Sequence, residues 1–176
     1  GQTTSRLMKL LNEAGVESIR DKLLWNHVER QKGKLHGPIT HAGIDHVTST
    51  SLANRRESML ILAYGNKFYD VGGLPISKQA VDGFQRYAKF VADQFGGKVG
   101  FLEVWNEWNI GAGSTEKKRY GDPAAYVRLV KATKSTLSSN RSSTQILAGA
   151  VADKADGWIQ EMVRLGVLNF ADGISI

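Results

Sequence analysis

The chain has 176 residues, 41% of them hydrophobic and 23% charged, which is ordinary globular composition, long enough for one sizeable core and unlike a disordered segment. No uninterrupted apolar run approaches the roughly 20 residues of a membrane span, the opening "GQTTSRLMKLLNEAG" lacks the basic-then-apolar layout of a signal peptide, and the lack of cysteine excludes disulfides and thiolate metal sites without identifying a compartment. The formal charge of +6 allows an acidic partner, but most Lys and Arg are scattered singly along helical stretches, the pattern of a solvated face rather than of a nucleic-acid surface; one compact cluster, Lys117, Lys118 and Arg119, could line a rim for an anionic glycan.

In chain order, "TTSRLMKLLNEAG" places Leu7, Leu10, Leu11 and Ala14 on one helical face and stops at Gly15. The next segment, "VESIRDKLLW", reads as a strand. Pro38 introduces a weaker helical stretch with Ile44, Val47 and Leu52 at helical spacing, and "MLILAYG", Met59 to Gly65, is a second strand. From Ser77, a predicted N-cap, Val81, Phe84, Ala88, Val91 and Phe95 form the clearest amphipathic stripe, closed by Gly96 and Gly97. "VGFLEVWNE" follows as a third strand. Asp122 and Pro123 supply a cap and a first-turn proline for a helix with Tyr126, Val130, Thr133 and Leu137 inward, followed by the strand "TQILAGAV". A last helix, with Ile159, Met162 and Val163 as its apolar stripe, leads through Gly166 to the strand "ADGISI".

Five helix-strand pairs with short, nearly continuous apolar strands predict an α/β fold with a parallel sheet covered by helices. Two architectures compete, a doubly wound open sheet and a (β/α)8 barrel. Spacing does not choose between them, but polar residues do, because barrel enzymes gather their chemistry at the C-terminal ends of several strands. Here the strands end in "RDKLLWNHVE", "YGNKFYD" and "WNEWN". Strand alternation would set Glu103, Trp105 and Glu107 on one face, and a buried carboxylate without a partner costs several kcal/mol, so each needs a partner or a task.

The run "VWNEWN" resembles the Asn-Glu signature that ends the fourth strand of clan A glycoside hydrolases, above all the family 39-like enzymes with their Trp-Asn-Glu-Pro-Asn; Trp108 stands where that pattern has proline. "IRDKLLWNHVE", "ILAYGNKFYD" and "DGISI" are similar to segments of the second, third and sixth strands of the same families, and the four motifs occur in the family's order. The resemblance implies a TIM-barrel-type catalytic domain and a retaining glycosidase, secreted or periplasmic, that needs no cofactor or metal and acts on an oligo- or polysaccharide. It implies that Glu107 is the acid/base and that Asn106 hydrogen-bonds the sugar 2-hydroxyl. Cleaving a glycosidic bond needs a carboxylic acid of raised pKa beside the leaving oxygen, and indoles supply low-polarity surroundings and flat faces for sugar rings. Trp25, Tyr69 and Trp108 are candidate stacking surfaces, and Asn66 a candidate hydroxyl partner. For each aromatic alone, core packing is an equal reading.

Arg20 resembles the arginine that these enzymes place on the second strand to hold an active-site carboxylate. It is also positioned to pair with Glu103, read chiefly as a structural partner and secondarily as the alternative catalytic carboxylate. "GAGSTEK" lacks the Gly-Lys-Ser/Thr ending of a phosphate loop, His41 and His46 are off the i, i+4 spacing of a helical metal pair, and His27 either reaches the cleft or caps a loop.

A barrel of this kind needs eight strands, and residues 1–176 supply segments resembling strands two to six. The expectation is a single partial barrel without the first and the C-terminal strands, completed by a missing segment or another chain. The nucleophile, which the family carries on its seventh strand, is unassigned. The alternative is a non-catalytic, carbohydrate-binding or interaction fragment.

Overall fold

The structure, a computed structural model, describes residues 2–36, 58–95, 97, 99–115, 121–137 and 144–176. The predicted helix after Pro38, His41, His46 and the Lys117–Arg119 cluster lie outside the described residues. The elements run α1 (Gln2–Glu13), β1 (Ile19–Leu24), α2 (Trp25–Val28), β2 (Ser58–Ala63), α3 (Lys78–Phe95), β3 (Phe101–Val104), α4 (Pro123–Leu137), β4 (Gln145–Gly149), α5 (Asp156–Arg164) and β5 (Gly173–Ser175). No helix among the described residues is long and apolar enough to cross a membrane.

All five strands are parallel and pair in strict sequence order, β1-β2-β3-β4-β5. A doubly wound sheet has to reverse direction once along its strand order, whereas strict order with crossovers of one hand lays every helix on the same side. The fold is therefore α/β of the barrel kind, an arc of parallel strands with helices outside.

The outer face is apolar. Leu23, Leu60, Leu62, Leu102, Val104, Ile146 and Ala148 are buried in one core with Phe84, Tyr87, Ala88 and Val91 of α3 and Tyr126, Leu129 and Val130 of α4. Each such Leu or Val contributes about 1.5–3 kcal/mol by leaving water. The alternate positions, among them Arg20, Lys22, Met59, Glu103, Leu147 and Ser175, lie outside that core on the concave side.

The caps follow the sequence. Ser77 Oγ accepts the Ala80 N–H at 3.1 Å, and the Asp122 carboxylate accepts those of Ala124 and Ala125 at 3.2 and 3.0 Å. Gly15 and Gly97 take the left-handed conformation past their helices. Two apolar stripes differ from expectation. Val163 of α5 is 40% exposed, because the buried side of that short helix centres on Met162. On α1, Leu7 and Leu10 are 37% and 52% exposed, so no described residue covers that face.

Candidate active site

Glu103 occupies the middle of the concave face on the central strand β3, fully buried. Arg20, two strands away on β1, crosses β2 to reach it, with Nε and Nη2 donating to Oε2 at 3.0 and 2.5 Å. From the other side the Ser175 hydroxyl of β5 crosses β4 and donates to Oε1. Both carboxylate oxygens are thus occupied, and one side chain ties three strands together. Arg20 and Glu103 form the expected structural pair.

The same guanidinium carries the network to the rim. Arg20 Nη2 also donates to Asn106 Oδ1 at 2.7 Å, and Asn106 Nδ2 donates to Tyr64 Oη at 3.0 Å. The amide is therefore oriented from both ends while keeping one donor and one acceptor position. Tyr126 braces the turn from beneath: its hydroxyl donates to Val104 O at 2.8 Å and accepts the Gly149 N–H at 2.7 Å. Burial pushes that hydroxyl above the ordinary phenol range, the Gly149 N–H opposes the shift, and the Glu103 charge adds to it.

β3 ends in two left-handed residues around Asn106, Trp105 at φ 67° and Glu107 at φ 54°. Such conformations at bulky residues cost on the order of 1–3 kcal/mol each and persist only where the surroundings hold them. Here the Glu107 N–H donates to Ala150 O at 2.6 Å, while Asn109 clamps the Ala152 backbone in both directions at 2.8 and 3.0 Å. The Glu107 carboxylate makes no hydrogen bond or ion pair with any described residue. It lines a cavity of about 390 Å³ together with Arg20, Asn106, Ala150, Ser175 and Ile176. Two carboxylates thus face the concave side: Glu103, whose charge is consumed internally, and Glu107, whose side chain opens onto empty space.

Alternation fails at Trp105. Its left-handed φ ends the pleat, so the indole leaves the face shared by the two glutamates and packs against Tyr64, Phe84 and Trp108, with Nε1 donating to Ala112 O. The candidate stacking surfaces also turn inward. Trp25 is fully buried between Tyr69 and Tyr87 at 4.8 and 5.9 Å, because the chain enters α2 directly after β1 and carries the ring under α3. Tyr69 is 3% exposed, and its hydroxyl donates to Glu29. Burial raises the pKa of that hydroxyl, and the hydrogen-bonded Glu29 adds to the rise. Trp108 is buried between Trp105 and Tyr126, with Nε1 donating to Asp122 O. Asn66 is 1% exposed, and its amide is spent on Glu29 O and the Phe68 N–H. None of these four presents a free face or amide to the Glu107 cavity. Arg20, Asn106 and Glu107 do meet there.

Sequence reasoning missed three residues. Tyr64 orients Asn106 and stands in the quoted run "ILAYGNKFYD"; Ser175 occupies one oxygen of Glu103 from "DGISI". Glu29, 2% exposed, accepts Trp25 Nε1, the Gly33 N–H and the Tyr69 hydroxyl, each at 2.6 Å. Its i, i+4 spacing from Trp25 was the available signal.

Fold and site together define a segment of a (β/α)8 barrel with its polar groups at the C-terminal strand ends, matching a portion of the barrels of glycoside hydrolases. The chain is similar to a family 39 glycoside hydrolase from the gut symbiont Bacteroides cellulosilyticus, with a TM-score of 0.80 and 24% identity over 98% of this chain and 35% of that one. It is also similar to a β-glucosidase from Exiguobacterium marinum, with a TM-score of 0.59 and 17% identity over 82% of this chain and 36% of that one. A family 10 xylanase from Bispora sp., seen with xylobiose, gives a TM-score of 0.57 and 10% identity over 92% and 50%. At these identities the likeness is one of fold. The chain spans about a third to a half of the length of these proteins. No protein-family model and no curated protein matches it.

Proposed function

We propose that this chain carries the acid/base half of a retaining glycoside hydrolase acting on O-glycosidic bonds of an oligo- or polysaccharide. What supports the reading above all is the contrast between the two glutamates: Glu103 has both oxygens occupied, while Glu107, two residues past Trp105 on a strained turn, opens onto a cavity beside Asn106. In the first step Glu107 gives its proton to the glycosidic oxygen as the bond from that oxygen to the anomeric carbon breaks and a second carboxylate attacks that carbon. In the second step Glu107, now a carboxylate, takes a proton from the water that releases the sugar. Asn106, aimed by Arg20 and Tyr64, offers its remaining amide positions to the hydroxyl next to the reacting carbon. The nucleophile is not among the residues assigned here. Residues 1–176 are one partial catalytic barrel, which strands from another segment or another chain complete.

The test is leaving-group dependence. In the completed barrel, Glu107→Gln is expected to lose most hydrolysis of glycosides with poor leaving groups and to spare aryl glycosides with good ones, because only the former need protonation. Equal loss for both removes the acid/base assignment. Sugar binding with no cleavage by the completed, unsubstituted protein selects the non-catalytic alternative.

A further inference from the structure

A second cavity, of about 270 Å³, lies over the ends of β1 and β2 and is lined by Asn26, Glu29, Arg30, Asn66 and Lys67. It lies past the C-terminal ends of β1 and β2, the end of the sheet at which Glu107 follows β3. Two of its five lining residues are fixed wall. The Glu29 carboxylate is buried with three donors on it, and both ends of the Asn66 amide are engaged. What remains open is one-sided. Arg30 is exposed and uses only Nε, toward His27 O at 3.2 Å. Lys67 is exposed, its ammonium 5.4 Å from the Phe68 ring centroid. Asn26 is exposed and has no partner among the described residues. A third cation, Lys32, lies over the ring of Tyr69 at 5.3 Å in the same loop. Among the described residues none of these three cations forms an ion pair. The free groups lining this cavity are thus cationic or amide; the Glu29 carboxylate in its wall, held by three neutral donors, offsets one of the three cations and leaves an excess of positive charge.

We propose that this second cavity is a subsite for the anionic group, a carboxylate or a sulfate ester, of an acidic oligosaccharide, the substrate class of the neighbouring Glu107 site. The inference rests on the glycosidase reading for the word substrate, while the binding it asserts stands by itself. The planar guanidinium of Arg30 matches two oxygens of either group, and Lys67 supplies a point charge beside it. A neutral sugar offers neither cation a counter-charge.

Binding of three probes to the completed barrel at low salt separates the cases: a trigalacturonate, its fully methyl-esterified form, and an O-sulfated neutral trisaccharide. The expected result is affinity about tenfold higher for a charged probe than for the ester, with the preferred charged probe telling carboxylate from sulfate. That preference is expected to vanish in Arg30→Gln/Lys67→Gln and to survive in Lys78→Gln/Lys89→Gln, which removes the same charge from α3. Equal affinity for charged and esterified probes overturns the proposal, and so does equal weakening by the two double variants, since that marks non-specific attraction. Hydrolysis by the unsubstituted completed barrel serves as the independent arm: if it cleaves no glycoside while this charge preference persists, the glycosidase reading falls and the subsite stands.

Discussion

Arg20, 42% exposed on the edge strand β1, and Glu103, fully buried on the central strand β3, share a carboxylate oxygen that receives two guanidinium hydrogen bonds. The pair is asymmetric, because most of the desolvation falls on Glu103. Breaking it from the exposed side therefore strands a buried charge.

Arg20→Met is expected to destabilise the chain by about 3 kcal/mol, the low end for a broken buried pair, since the arginine itself is half in water. Arg20→Met/Glu103→Leu is expected to recover most of that loss, because two apolar residues carry no charge to desolvate. Urea denaturation of the two variants and the parent checks both statements. A double variant no more stable than the single one contradicts the asymmetry.

Asn106→Ala in the completed enzyme acts on the proposed sugar contact. The loss is expected mainly in kcat, roughly a hundredfold, with KM changed little, because hydrogen bonds to the hydroxyl beside the reacting carbon strengthen in the transition state. Steady-state kinetics on an aryl glycoside gives the split. A rise in KM alone would reassign Asn106 to ground-state binding.

Asp172 precedes β5 and joins three elements: it accepts the Ile146 N–H of β4 at 2.7 Å and pairs with Lys134 of α4 at 2.8 Å. Burial by itself raises its pKa, but the Ile146 N–H and the Lys134 ammonium outweigh that, and the net shift is downward from 3.8. A carboxyl whose folded pKa is depressed stabilises the fold above its unfolded pKa, and the contribution disappears as pH falls through the lower folded value. Asp172→Asn is therefore expected to be less stable than the parent at pH 7, with the gap closing below about pH 3.8. Denaturant midpoints for both proteins between pH 7 and pH 2.5 test this, and a gap that stays constant across the range contradicts it.

Gly83 lies on α3 where a Cβ would stand 2.9 Å from the Tyr69 ring and 3.0 Å from Trp25. Alanine there gains up to about 1 kcal/mol in helix propensity and loses about 1–3 kcal/mol by overpacking the aromatic stack. The net expectation for Gly83→Ala is a lower Tm, and Tyr69→Leu/Gly83→Ala should show the overpacking relieved. A higher Tm for the single variant would mean that the stack has room to shift.

The alternation of strands and helices was legible because each element carries its own period: apolar runs for strands buried beneath helices, the 3.6-residue stripe for α3 and α4. That Arg20, Asn106 and Glu107 come together was legible because each lies on a strand or just past its end, where position along the chain becomes position on the rim. Trp25 and Trp105 were not, for two local reasons. At Trp25 the chain turns into a helix without a linker, and at Trp105 one positive φ sends the ring out of the glutamate face. Neither event leaves a mark in residue type, since the same indole suits a sugar platform and a core. Glu29 shows the opposite case: its spacing from Trp25 was visible, but its role depends on Tyr69, 40 residues later.

The three-strand tie through Glu103 also bears on how the chain reaches its folded state. Its arginine partner is 83 residues away in sequence and its serine partner 72. Each adjacent strand pair can form after closing a shorter loop, and loop closure over longer separations is slower and entropically dearer. The carboxylate cannot shed its water until both distant partners arrive. Its dehydration is therefore expected late in assembly, once β1 and β5 have both joined the sheet. A chain with leucine at 103 and methionine at 20 would be free of that wait, and would be expected to fold faster while leaving Asn106 without the donor that aims it.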